Sequence, residues 1–199
     1  MRIYLIRHGE TTGDIEDRYG EDYEDHLTER GKEQSKELAK KLKNKNIEII
    51  FHSPRIRATE TARIISKGLD LKLAKVQDLR ERNAYGILTG MIKSDAKRKY
   101  PKEVKKLERD KINHDVKNSE NYNSFKDRII NTFNEITNRD YNAIAIISHG
   151  GPISCIIREL LKLGEFKKMG DCAVLEIEKK NKELNLISLS NAELVKGFW

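Results

Sequence analysis

Three short apolar runs limit what this chain can fold into: Ile3 to Ile6, Ile47 to Phe51 and Ala143 to Ile147. A strand with one face in water alternates apolar and polar residues. A nearly unbroken apolar strand must be covered on both faces, as in a parallel sheet flanked by helices. The segments between the runs supply such helices. Thr28 caps a helix with Gly31 in its first turn and an inner stripe of Ser35, Leu38, Ala39 and Leu42. Ser53-Pro54 opens a second, striped by Ala58, Ala62, Ile65 and Leu69 and ended by Gly68. Phe125, Ile129, Ile130, Phe133 and Ile136 mark a third, and Ile153, Ile156, Ile157, Leu160 and Leu161 a fourth beginning near Pro152. Leu71 to Val76 reads as an edge strand, and Cys172 to Ile177 with Leu184 to Leu189 as a closing pair around the turn Lys179 to Lys182. The expected fold is a three-layer α/β/α sandwich with a mostly parallel central sheet.

The chain's 199 residues fit one domain, 1–199, large enough to bury a core without staples. Within it, 87–124 is weakly patterned and rich in basic residues (Lys93, Lys97, Arg98, Lys99, Lys102, Lys105 and Lys106), and is expected to be a cap of short helices over the active site. Charged residues make up 36% of the chain and the net charge is +7, which favours anionic partners without naming one. Cys155 and Cys172 lie in apolar surroundings and are expected to be buried free thiols, with no disulfide framework or zinc spacing. The first apolar run ends at Arg7, so no signal peptide is read, and no segment is long enough to span a bilayer. A cytoplasmic location is the default expectation. Thr11 to His26 is acidic and reads as an exposed loop; its carboxylates lack the ordered spacing of a calcium site, and no metal is assigned.

Chemistry gathers where the apolar runs stop. The first ends in Arg7-His8-Gly9, the third in Ser148-His149-Gly150-Gly151, and the second in Ser53 followed by Arg55 and Arg57. If the strands are parallel, all three ends lie on one edge of the sheet, where α/β proteins bind ligands. Two histidines, two or three arginines and two helix starts would then converge into an anion site. A second histidine admits covalent chemistry, because a neutral imidazole attacks phosphorus while the cations neutralise the equatorial oxygens. Glu81, in Leu79-Arg80-Glu81-Arg82, is the candidate proton donor, since nearby phosphate oxygens favour its protonated form.

These blocks resemble those of the histidine phosphatase superfamily, also called phosphoglycerate-mutase-like. The resemblance rests on Leu5 to Thr11, Leu27-Thr28 with Gly31 and Gln34, Ser53-Pro54 with Arg57-Ala58 and Thr61-Ala62, Leu79-Arg80-Glu81 with Gly86 and Gly90, and Ser148 to Gly151, in the family's order. It implies that His8 is the nucleophile that becomes phosphohistidine, oriented by the Gly9 carbonyl. It implies that Arg7, Arg57 and His149, with Gly150, hold the phosphoryl oxygens. Glu81 would protonate the leaving group and then activate water. No metal or other cofactor is required, because cationic side chains do the work of magnesium.

Three departures from the family pattern stand out. Asp14 occupies a place where many members carry a phosphate-binding asparagine, so it must be protonated, paired with Arg18 or turned away. The adjacent arginines by which mutases grip a carboxylate are missing, with Arg109-Asp110-Lys111 the nearest segment. The stretch Glu81 to Gly86 is one residue longer than in mutases. Asp14, Arg82 and Tyr85 are candidate substrate contacts, while His26, His52 and His114 are unassigned. The reading is a metal-independent phosphomonoester hydrolase acting on a small phosphorylated metabolite. The alternatives are a phosphoglycerate mutase, which would need more cationic grips and a larger closing tail than Lys196 to Trp199, and a silent phosphate- or nucleic-acid-binding module. Against nucleic acid, the insert's lysines lack a run of interleaved aromatics for stacking. No membrane partner is expected.

Overall fold

The computed structural model describes residues 1–20, 23–110 and 112–195. Among these, six strands form one sheet: β1 (Arg2–Arg7), β2 (Ile49–His52), β3 (Lys72–Lys75), β4 (Ala143–Ser148), β5 (Phe166–Lys180) and β6 (Glu183–Leu194). Their order is β3-β2-β4-β1-β5-β6. The first four are mutually parallel, whereas β5 runs antiparallel to β1 and β6 antiparallel to β5. The apolar runs take the central positions. Ile3, Leu5, Ile144 and Ile146 face one side, and Tyr4, Ile6, Ala145 and Ile147 face the other, all of them buried. Each of the leucine and isoleucine side chains among them contributes about 1.5–3 kcal/mol by leaving water.

Helices cover both faces. The first face packs on α6 (Tyr122–Thr137), through Phe125, Ile129, Phe133 and Ile136, and on α7 (Gly150–Cys155), which continues as one π-helical turn, Ile156–Leu160. The second packs on α2 (Glu29–Leu42), capped by Thr28, and α3 (Ile56–Leu69). This is the expected α/β fold, with two antiparallel strands at one side. The closing pair is longer than its apolar stretches because bulges carry β5 and β6 past polar residues on an exposed edge.

Four local expectations are corrected. Helix α3 runs through Gly68 and stops at Asp70, which takes the left-handed conformation at φ 54°. Cys155 is buried, but Cys172 is only half-buried, because it sits at a β5 bulge with φ 51°. Thr11 to His26 is not simply an exposed loop. A capping box between Thr11 and Asp14 starts a short helix, α1 (Thr12–Ile15), and Thr11, Tyr19 and Asp25 are buried. Glu21 and Asp22 of that segment, Lys111, and the tail Lys196 to Trp199 lie outside the described residues. Arg18 pairs with Glu16 rather than with Asp14.

The 87–124 region contains α4 (Lys93–Lys99) and α5 (Pro101–Arg109), the latter opened by Pro101. Leu88, Ala96, Val104, Leu107 and Val116 form a small core of their own with Tyr19. No helix among the described residues is long and apolar enough to cross a membrane.

Candidate active site

In register, Arg7 of β1 pairs with Ser148 of β4, and His52 of β2 with Ile147, so the three parallel strands end on one edge. The chain leaving β1 passes very close to the start of α2: a Cβ on Gly9 would lie 2.6 Å from the Gly31 carbonyl oxygen. Only glycine permits this approach, which accounts for both residues. The Gly9 amide donates to Thr61 Oγ1 at 3.1 Å, fastening the β1 end to α3.

His8 Nδ1 lies 2.8 Å from the Gly9 carbonyl oxygen, which can only accept. Nδ1 therefore carries the proton, and Nε2 presents its lone pair. That lone pair meets Nε of Arg57 at 3.2 Å, and the same Nε–H lies 3.2 Å from His149 Nδ1. His149 is thus neutral with its proton on Nε2, which donates to Ser53 Oγ at 2.7 Å. The rings are 5.2 Å apart between centroids. Burial, followed by the Arg57 charge, holds both imidazoles well below the usual 6.5, so both are neutral at pH 7.

Arg57, in the first turn of α3, is itself buried. Its Nη1 donates to Asp25 Oδ1 at 2.8 Å and to the Tyr23 carbonyl at 2.9 Å. Arg7 donates to the Met169 carbonyl at 3.0 Å and lies between two carboxylates, Asp171 at 3.3 Å and Asp14 at 3.6 Å. Burial pushes the Asp171 carboxyl up, with Arg7 opposing. Asp14 Oδ2 accepts from the Thr11 amide at 3.0 Å and the Thr11 hydroxyl at 2.8 Å, so it closes the capping box with Thr11 while leaning on Arg7.

Glu81 comes from the loop after β3. Ser148 Oγ donates to the Leu79 carbonyl at 2.7 Å, and Arg128 of α6 holds the Asp78 and Arg80 carbonyls at 2.7 and 3.0 Å. The Glu81 carboxylate accepts from the amides of Gly151 at 2.9 Å and Arg82 at 2.8 Å. A Cβ on Gly151 would fall far inside contact distance of Glu81 Oε1, so this glycine keeps space for the carboxylate.

Arg7, His8, Arg57, Glu81 and Gly150 line a cleft of about 600 Å³, into which Asp14, Arg82 and Tyr85 also open. Ile112, Tyr122, Phe125, Phe166 and Met169 add an apolar wall. Arg82 lies mostly under this wall: its Nε and Nη1 donate to the Glu120 and Ile112 carbonyls at 3.0 and 2.9 Å. Tyr85 stacks on Tyr19 at 4.6 Å. His26 pairs with Glu60, His114 with Glu103, and His52 binds the Ser53 carbonyl, all away from the two-histidine pair. Among the described residues, no three His, Cys, Asp or Glu side chains converge as a metal site needs.

Three contributors escaped the sequence reading: Asp25, Asp171 and the hydroxyl of Ser53. Asp25 hides among other acids, Asp171 arrives only through the antiparallel pairing of β5, and Ser53 is legible as a helix start but not as the partner of His149.

The family model of the histidine phosphatase superfamily (branch 1) matches residues 3–192. The chain belongs to the histidine phosphatase superfamily. Phosphoserine phosphatase 1 of Hydrogenobacter thermophilus is 26% identical over 162 residues, covering 81% of this chain and 76% of that protein. A 2,3-bisphosphoglycerate-dependent phosphoglycerate mutase of Parvibaculum lavamentivorans is 27% identical over 171 residues, covering 82% and 81%. The structure of the alpha-ribazole phosphatase of Shigella flexneri superposes with a TM-score of 0.84 at 25% identity, covering 99% of this chain and 100% of the other. This histidine phosphatase is therefore an enzyme of a family that includes both phosphatases and phosphoglycerate mutases.

Proposed function

We propose that this histidine phosphatase hydrolyses small phosphomonoesters through a phosphohistidine on Nε2 of His8, without a metal ion. The observation that carries the reading is the His8 Nδ1 hydrogen bond to the Gly9 carbonyl at 2.8 Å, which leaves the Nε2 lone pair facing Arg57 and His149. When substrate enters, Arg57 keeps its Nε–H and turns that hydrogen bond from the imidazoles to a phosphoryl oxygen, freeing His8. The Nε2–P bond forms as the P–O bond to the leaving group breaks, and the Glu81 carboxyl protonates the departing oxygen. Glu81, now a carboxylate, takes a proton from water, whose oxygen attacks phosphorus and releases His8. Arg7, Arg57 and the Gly150 end of α7 neutralise the equatorial oxygens. The negative charge of the phosphoryl group favours a proton on His149 Nδ1, turning that nitrogen from acceptor to donor.

Two features favour hydrolysis over the alternatives. Against a mutase, Arg109 is exposed and, among the described residues, is not one that lines the cleft. Basic residues of the insert are also matched by acids, with Lys97 near Glu108 at 3.9 Å, Arg98 near Asp95 at 2.8 Å and Lys106 near Glu103 at 3.4 Å, which leaves less charge for nucleic acid. The insert, 87–124, acts in this reading as a cap that contacts the leaving group. The test is phosphate release from a generic aryl phosphate, then from a panel of phosphomonoesters, with and without a chelator. Turnover that survives chelation supports the reading. Faster interconversion of 2- and 3-phosphoglycerate than phosphate release, or abolition by the chelator, would overturn it.

A further inference from the structure

Arg57 touches both histidines by one edge, and its other end is held by a residue outside every motif that carries the chemistry. Asp25 Oδ1 lies 2.8 Å from Arg57 Nη1, and each side chain is only 4% exposed. A desolvated, hydrogen-bonded ion pair of this kind fixes direction far more firmly than a surface pair. The segment bearing Asp25 is pinned to the same helix that bears Arg57. Glu24 accepts from the Ile56 amide at 3.2 Å and from Arg55 at 2.8 Å, and Glu60 of α3 accepts from the Leu27 amide at 2.8 Å. Asp25 and Arg57 therefore share one rigid frame. Space for the carboxylate is kept on the opposite side: a Cβ on Gly13 would lie 2.7 Å from Asp25 Oδ2.

Building on the phosphohistidine reading, we propose that Asp25 is a positioning residue of this active site. It anchors the far end of Arg57, so that the Nε edge swings between the imidazoles and a phosphoryl oxygen without leaving the site. Its negative charge also weakens the hold on phosphate dianion, which speeds product release. The pattern extends to the second phosphate-facing arginine, since Arg7 is flanked by Asp171 and Asp14. Both guanidiniums already carry carboxylate neighbours before substrate arrives. The charge acts against ground-state binding, whereas the fixed orientation serves the transition state.

The experiment compares wild type, Asp25→Asn, Asp25→Glu and Gly13→Ala, reading kcat on an aryl phosphate and the inhibition constant of inorganic phosphate. Asp25→Asn should lower kcat about 10- to 100-fold, as expected for a mispositioned group. Inorganic phosphate should nevertheless bind it about threefold or more tightly, because a like charge near the anion is gone. Gly13→Ala keeps the charge but displaces it, so kcat should fall without tighter phosphate binding, and Asp25→Glu should recover part of the lost kcat. A kcat for Asp25→Asn within about twofold of wild type, or equal losses in kcat and phosphate affinity, would overturn the proposal by leaving Asp25 only a structural role. If Asp25→Asn does not fold, Gly13→Ala decides: an unchanged kcat overturns the proposal. If wild type shows no turnover, the phosphatase reading fails separately. Calorimetric titration of inorganic phosphate into wild type and Asp25→Asn then decides, with tighter binding to the variant supporting the role and equal or weaker binding overturning it.

Discussion

The sheet edge and the insert, 87–124, are built in opposite ways. At the sheet edge, each reactive side chain is held by buried or backbone partners: His8 by the Gly9 carbonyl, His149 by Ser53, Arg57 by Asp25 and Glu81 by two amides. In the insert, Leu88, Ala96, Val104, Leu107 and Val116 form a small core of their own beneath a surface of paired charges. The difference teaches where each kind of information is kept. Reaction geometry is stored where burial over-determines a side chain. In the proposed reading, substrate preference belongs to the exposed face of the insert, where contacts with the rest of the protein are few.

The sharpest way to break this contrast is at His8. His8→Ala should reduce turnover by about 10⁴-fold or more while leaving the fold intact, measured as phosphate release beside circular dichroism. Equal activity in the variant would remove the sheet edge from the chemistry. Next comes Gly151→Ala, whose Cβ displaces the Glu81 carboxylate. It should lower kcat by about 10²-fold with a smaller change in KM, the size of a lost general acid. At the insert, Leu107→Ala should cost about 2–4 kcal/mol of local stability and raise KM more than it lowers kcat. A kcat loss like that of Gly151→Ala would erase the distinction between the two regions.

Acid should act selectively on the sheet edge. His8, His149 and His52, all buried, have folded values depressed below 6.5, chiefly by burial. Below pH 6.5 the unfolded imidazoles bind protons that the folded ones refuse. Stability is therefore full above about 6.5 and falls as pH drops below it, by up to about 1.4 kcal/mol per pH unit for each histidine until its folded value is reached. Melting temperatures from pH 7.5 to 5.0 check this, and His149→Asn should flatten the slope. Smallest of all, Lys97→Ala should change stability by less than about 0.5 kcal/mol and leave kcat unaltered, because its pairing with Glu108 is exposed.

Much of the layout was legible because burial leaves a periodic trace. The central strands, the stripes of α2, α3 and α6, and the Arg7, His8, Arg57 and His149 cluster all follow from apolar runs that stop at reactive residues. The carboxylates were not legible in this way. Asp14 reads as a misplaced phosphate ligand, yet the structure makes it the capping-box partner of Thr11 at the start of α1, placed beside Arg7 by the turn that follows β1. Arg82 reads as a pocket cation and does line the cleft, but the structure adds that its Nε and Nη1 donate to the carbonyls of Glu120 and Ile112. Asp25 is one of seven acids between Thr11 and His26, with no period to single it out.

The chain's order of residues determined which strands are buried, where each one ends and which reactive groups are carried there, because hydrophobic burial and glycine turns act over a few residues. Only the tertiary structure decided which charge faces which: Asp25 with Arg57, Asp171 with Arg7, Ser53 with His149. These partners are 32, 164 and 96 positions apart and meet through hydrogen bonds a few ångströms long. Such pairings depend on how loops and the antiparallel strand β5 close over the sheet edge, and that closure leaves no periodic mark in the sequence.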